Sequence, residues 1–99
     1  MNAIPIPKKF NVFGESHKVK LLKKVDKGES LGDWNPANNT IRLEKASSTR
    51  NQDQVEQTLI HELVHVCLDH LGYEHLSNDE KFVDAFSKAW HQILKTAEY

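Results

Sequence analysis

From Gln52 to Leu71 the chain runs without proline or glycine, and inside that stretch stands His61-Glu62-Leu63-Val64-His65. Val55, Leu59, Ile60, Leu63, Val64, Val66, Cys67, Leu68 and Leu71 spread over more than half of a helical circumference, so the segment predicts a long, central, mostly buried helix. Gly72 supplies its stop. Residues four apart on a helix stand one turn above each other, so the imidazoles of His61 and His65 share a face and can reach one ion. Glu62 lies about 100° further round. That is poorly placed for a third ligand but close enough to take a proton from water on the same ion. The competing reading is a solvated helix face. Against it, His61 and His65 flank Leu68 at the margin of the apolar arc, where a semi-buried site belongs.

The first half of the chain has a different period. Lys9-Phe10-Asn11-Val12-Phe13 and Lys18-Val19-Lys20-Leu21-Leu22 alternate or nearly so, with Gly14-Glu15-Ser16 as turn material between them. Gly28 and Gly32 bracket a loop, and Asn35-Pro36-Ala37-Asn38-Asn39 reads as a turn into the alternating strand Thr40-Ile41-Arg42-Leu43-Glu44. A polar loop covers residues 46–51. Beyond Gly72, Ser77-Asn78-Asp79-Glu80 offers an N-cap with capping-box spacing, and Phe82, Val83, Phe86, Ala89, Trp90, Ile93, Leu94 and Ala97 form the apolar stripe of a second helix. The expected fold is a single α+β domain over residues 1–99. A small N-terminal antiparallel sheet packs on the central HExxH helix and on a C-terminal helix that carries Glu80.

A hydrolytic zinc site takes three protein ligands and keeps a fourth position for water. Asp69 is about 12 Å of helix axis beyond His61, too far to join the same ion, and reads as a surface or supporting carboxylate. His70 reads as a helix-end histidine that bonds a carbonyl. Glu80 is the favoured third ligand, because a short turn after Gly72 can bring the second helix back across the first. Asp84, one turn on, would then face the same way and orient a histidine. Two alternatives stay open: Glu80 closing a capping box with Ser77, and Asp79 or His75 as the ligand.

The totals remove several function classes. Across 99 residues the formal charge is −1, so no excess of Lys and Arg is available to neutralise a phosphate backbone, and nucleic acid is a disfavoured partner. No apolar run approaches a membrane span, and the first ten residues carry Pro5, Pro7, Lys8 and Lys9 where a signal peptide needs an apolar core. A cytoplasmic location is expected. Cys67 is the only cysteine, which excludes an internal disulfide and multi-cysteine zinc clusters.

With those residues in view, His61-Glu62-x-x-His65 followed by Glu80-x-x-x-Asp84 resembles the gluzincin class of zinc peptidases. Thr40-Ile41-Arg42-Leu43, the HELVH helix, Leu71-Gly72-Tyr73 and Asp79-Glu80-Lys81-Phe82-Val83 are similar to the very small phage and prophage peptidases of the ImmA/IrrE-like group and to the minigluzincins. The resemblance implies a minimal zincin-like fold, Zn2+ as cofactor and a peptide or protein substrate. It also implies an edge strand, here Ile41, Arg42 and Leu43, that receives the substrate as an added strand. No transition-state donor stands out among Tyr73, His75 and His91. Metzincins are excluded because Leu68 and Leu71 occupy their Gly and third His positions. The endoribonuclease spacing HxxxHxxxxxH is not met. The alternative class is a regulatory or structural protein in which zinc only stabilises the fold, with His75 as a fourth ligand. Oligomeric state is not legible.

Overall fold

The structure is a computed structural model that describes residues 3–28 and 30–99. The chain begins with two strands, β1 (Lys9–Val12) and β2 (Glu15–Leu22), joined by a two-residue turn at Phe13 and Gly14. Glu15 and Ser16 are therefore strand residues, not turn. After a loop with a short 3-10 turn at Asp26–Gly28 come β3 (Gly32–Asn35) and β4 (Thr40–Glu44), joined by the turn that begins at Pro36. Three helices follow: α1 (Gln52–Leu71), the short α2 (Glu74–Ser77) and α3 (Glu80–Thr96).

The sheet order is β1-β2-β4-β3, and β2 pairs with β4 in parallel, so the sheet is mixed where an antiparallel one is expected. The reason is geometric. β2 ends at the same end of the sheet where β3 begins, so the loop between them need cross only two strand spacings, about 10 Å, and β4 then fills the gap. Val25, fully buried, anchors that crossing and bridges to Ser30. Of the segment between Gly28 and Gly32 read as loop, Glu29 lies outside the described residues, and Gly32 already belongs to β3. The topology also overturns the expectation that Ile41, Arg42 and Leu43 form an edge. β4 is paired on both sides, Ile41 and Leu43 are fully buried, and Arg42 is ion-paired with Asp26 and Asp33. The edge beside the helices is β3.

Asn51 caps α1 in a reciprocal box with Gln54, and Gly72 ends the helix in the left-handed conformation (φ 82°) that glycine adopts without a Cβ penalty. One face of α1 packs Val55, Leu59 and Val66 against Ile41 and Leu43, with Phe10, Val12, Val19 and Trp34 closing the margin. Truncating such a side chain typically costs about 2–5 kcal/mol. At Gly32 β3 comes close to α1. A Cβ built there falls 2.6 Å from Thr58 Cγ2 and 3.0 Å from the Arg42 carbonyl oxygen.

α3 departs from its expected stripe. Val83 and Ser87 are its buried positions near α1, whereas Phe86 and Trp90 stay partly exposed beside a groove that Leu63, Cys67 and Leu71 share, and Ile93 is exposed as well. Its far end is held by polar bonds: the Glu56 carboxylate, fully buried, meets Lys95 Nζ at 3.0 Å, His91 Nε2 at 3.1 Å and the Ile4 N–H at 3.1 Å. Burial pushes the Glu56 carboxyl up, but the Lys95, His91 and Ile4 bonds outweigh it and hold the group below its ordinary 4.5. Among the described residues no helix is long and apolar enough to cross a membrane.

Two outcomes follow. Gly32→Ala should lose about 1–3 kcal/mol of unfolding free energy in urea, since the added methyl must displace Thr58 or the β4 backbone; a stability equal to the parent would show that β3 has room. Because its folded value is depressed, Glu56 stabilises above pH 4.5 and ceases to do so as pH falls through that folded value. Glu56→Gln should therefore be less stable than the parent at pH 7, with the gap narrowing below pH 4.5, as read from denaturation midpoints against pH.

Candidate metal centre

His61 and His65 project from one face of α1, their ring centroids 5.1 Å apart. Glu80, the first residue of α3, lies across from both. Its Oε2 stands 3.1 Å from His61 Nε2 and its Oε1 stands 3.0 Å from His65 Nε2. One donor atom from each of the three residues falls within 4.8 Å of the others. A tetrahedral zinc ion with bonds of about 2.0–2.2 Å holds its donors roughly 3.4 Å apart, so the donor set, whose members lie within 4.8 Å of one another, must draw in to hold one. Two imidazole nitrogens and a carboxylate also suit zinc chemically. The Glu80 side chain is 66% exposed, which leaves the outer side of the cluster open to a small molecule.

The route by which Glu80 arrives differs from the one expected. Ser77 does not cap α3. The cap is Asp79, whose Oδ1 accepts the Phe82 N–H at 3.1 Å, and no Ser77–Glu80 box forms. Ser77 instead ends α2, buried, with Oγ 2.9 Å from His65 Nδ1. If that hydroxyl accepts the Nδ1 proton, the Nε2 lone pair is left for a metal ion in the cluster. Sequence reasoning missed this role because a serine at that spacing satisfies a cap equally well. Asp84 Oδ1 lies 3.9 Å from His61 Nδ1, beyond hydrogen-bond length, and its Oδ2 meets Lys88 Nζ at 2.8 Å. His75 stands off against Tyr73, with ring centroids 6.0 Å apart, and is not in the three-donor group.

Glu62 faces the same region. It is 8% exposed and has no hydrogen-bond or ion-pair partner among the described residues. Burial, with smaller contributions from Asp33 and Glu80, pushes its carboxyl up to about 7. Two open clefts meet at His61, Glu62 and Gly32. The larger, about 480 Å³, extends past His65, Ser77, Asn78 and Glu80 to Asp33, Trp34 and Asp69. The smaller, about 410 Å³, extends to Leu31, Thr58 and Asp84. β3 thus lines a continuous groove over the HExxH turn. Ile41, Arg42 and Leu43 line neither of these two clefts, and Tyr73, His75 and His91 do not either. His91 is occupied with Glu56 at the other end of α1.

Comparison with family profiles, curated proteins and solved structures finds no match to this chain. The geometry itself must carry any functional reading.

If Ser77 orients His65, Ser77→Ala should weaken zinc affinity roughly 10–100-fold in competition with a chromogenic chelator, and Asp84→Ala should change it less. Equal affinity in Ser77→Ala and the parent would remove the hydroxyl from the site.

Proposed function

We propose that this protein is a zinc-dependent peptidase of the gluzincin type, acting in the cytoplasm on peptide or protein substrates. One observation carries the reading: a three-donor cluster and a buried, unpartnered carboxylate, Glu62, open onto the same groove. A zinc ion held by His61, His65 and Glu80 supplies Lewis acidity, lowering the pKa of water and polarising a carbonyl oxygen.

The chain's own residues do the rest. Glu62 takes the proton of the attacking water. As the water oxygen joins the carbonyl carbon and the C–N bond breaks, that proton passes to the departing amine. A solvent-screened position for Glu62 favours this role, because a freely hydrated carboxylate is too weak a base at neutral pH. Asn78, whose side-chain amide has no internal partner among the described residues, is the neutral donor available beside Glu80 for charge developing on the carbonyl oxygen. It replaces Tyr73, His75 and His91 in that role.

The substrate strand is received on β3. Gly32 turns its N–H and C=O away from β4, and Ser30 Oγ meets them at 3.3 Å and 2.7 Å. An extended peptide laid along this edge exchanges those local bonds for main-chain bonds of its own. Side-chain contacts of Ile41 and Leu43 with the substrate are ruled out by their burial.

Glu62→Gln should retain zinc and lower kcat by at least about 100-fold on a quenched-fluorescence peptide library. Turnover at the parental rate would take Glu62 out of the reaction.

A further inference from the structure

The larger cleft ends in a carboxylate that peptide hydrolysis does not use. Asp69 stands one helical turn beyond His65, about 6 Å along the α1 axis. It is half-buried, lines the cleft, and its Oδ2 accepts the Trp34 indole N–H at 3.0 Å. That bond spans 35 positions of sequence and fixes the carboxylate against β3. Trp34 is itself seated, with its ring 5.4 Å from that of His17 and 6.1 Å from that of His70.

Asp69 acts on one basic neighbour among the described residues, raising His70 through space without bonding it. Asp69 has no ion-pair partner among the described residues, and no Lys or Arg lines the cleft. The adjacent His70 is turned elsewhere, Nε2 to Glu15 at 2.8 Å and Nδ1 to the Val66 carbonyl at 2.9 Å. Of the two further carboxylates in the cleft outside the metal cluster, Asp33 and Glu62, Asp33 is engaged by Arg42. With zinc bound, its two charges balance Glu62 and Glu80, and Asp69 remains. A half-buried carboxylate whose only bond comes from a neutral donor is under-compensated, and a cation entering the cleft completes it. The Trp34 side chain lines the cleft beside it and holds the carboxylate at that wall. The wider field has the same sign, since residues 51–99 hold nine Asp and Glu against three Lys and no Arg.

We propose that Asp69 and Trp34 form a subsite for a basic side chain, so that the preferred substrate carries Lys or Arg one or two residues from the bond cleaved. Because Oδ2 is engaged by the indole, one oxygen is left for a ligand, which suits the point charge of Lys without requiring a two-pronged contact. The assignment rests on the peptidase reading above and names its substrate class.

The test uses zinc-loaded Glu62→Gln protein, in which bound peptides persist. Capped hexapeptides carrying Lys or norleucine at each of the two positions on either side of the central bond are titrated calorimetrically. At one position the Lys peptide should bind roughly tenfold more tightly than its norleucine partner. Adding Asp69→Asn, which keeps an oxygen for the indole, should erase that difference with little change in melting temperature. No preference at any position, or a preference that survives Asp69→Asn, overturns the subsite while leaving the peptidase reading intact. Failure of every peptide to bind overturns the peptidase reading and the subsite with it.

Discussion

Glu80 can meet both imidazoles only if α3 starts at one particular height along α1, because a slip of one turn displaces its carboxylate by about 5.4 Å. That height is fixed from both ends. At the near end Gly72 stops α1, four residues of α2 reverse the chain, and Asp79 caps α3 one residue before Glu80. Ser77 meanwhile ties the reversal back to His65. At mid-length Gln57 Nε2 donates to Ser87 Oγ at 3.1 Å. At the far end Lys95 and His91 converge on the buried Glu56. The register of the two helices is therefore specified by directional polar bonds, which apolar stripes do not supply. This accounts for a helix whose largest apolar side chains, Phe86 and Trp90, remain substantially exposed.

The sheet supplies the other wall of the groove. By placing β4 between β2 and β3, the chain buries Ile41 and Leu43 in the middle of the sheet and leaves the polar sequence of β3 at the edge over the HExxH turn. Gly32 lets that edge come within contact of Thr58. Trp34 then reaches across to Asp69, so the strand is joined to the helix at both ends of the groove. An edge strand held in this way is the surface on which the proposed recognition of an extended chain by main-chain bonds takes place.

Much of this was legible in the residues, for identifiable reasons. The 3.6-residue pattern of α1, its glycine stop and the alternation in β4 are local signals, but the alternation did not reveal that Ile41 and Leu43 are fully buried in a central strand. The convergence of Glu80 on the histidines was legible from the short span between the two long helices, whereas the four-residue α2 within that span was not. β3 was not legible, because Gly32-Asp33-Trp34-Asn35 holds one large apolar residue and no alternation. The parallel pairing of β2 with β4 depends on a crossing that leaves no local trace. Ser77 and Asp79 are both good capping residues in one four-residue run, and only the backbone path decides between them. The Trp34–Asp69 bond joins two elements whose adjacency the sequence does not announce.

Every functional statement depends on the ion, so the most direct measurement is the metal content of the purified, untagged protein beside His65→Ala, determined by elemental analysis after incubation with zinc and removal of excess. The account predicts about one zinc per chain in the parent and its loss in the variant, with both proteins folded. A folded parent that retains no zinc would contradict it, and the meeting of His61, His65 and Glu80 would then be no more than an ionic contact between two helices.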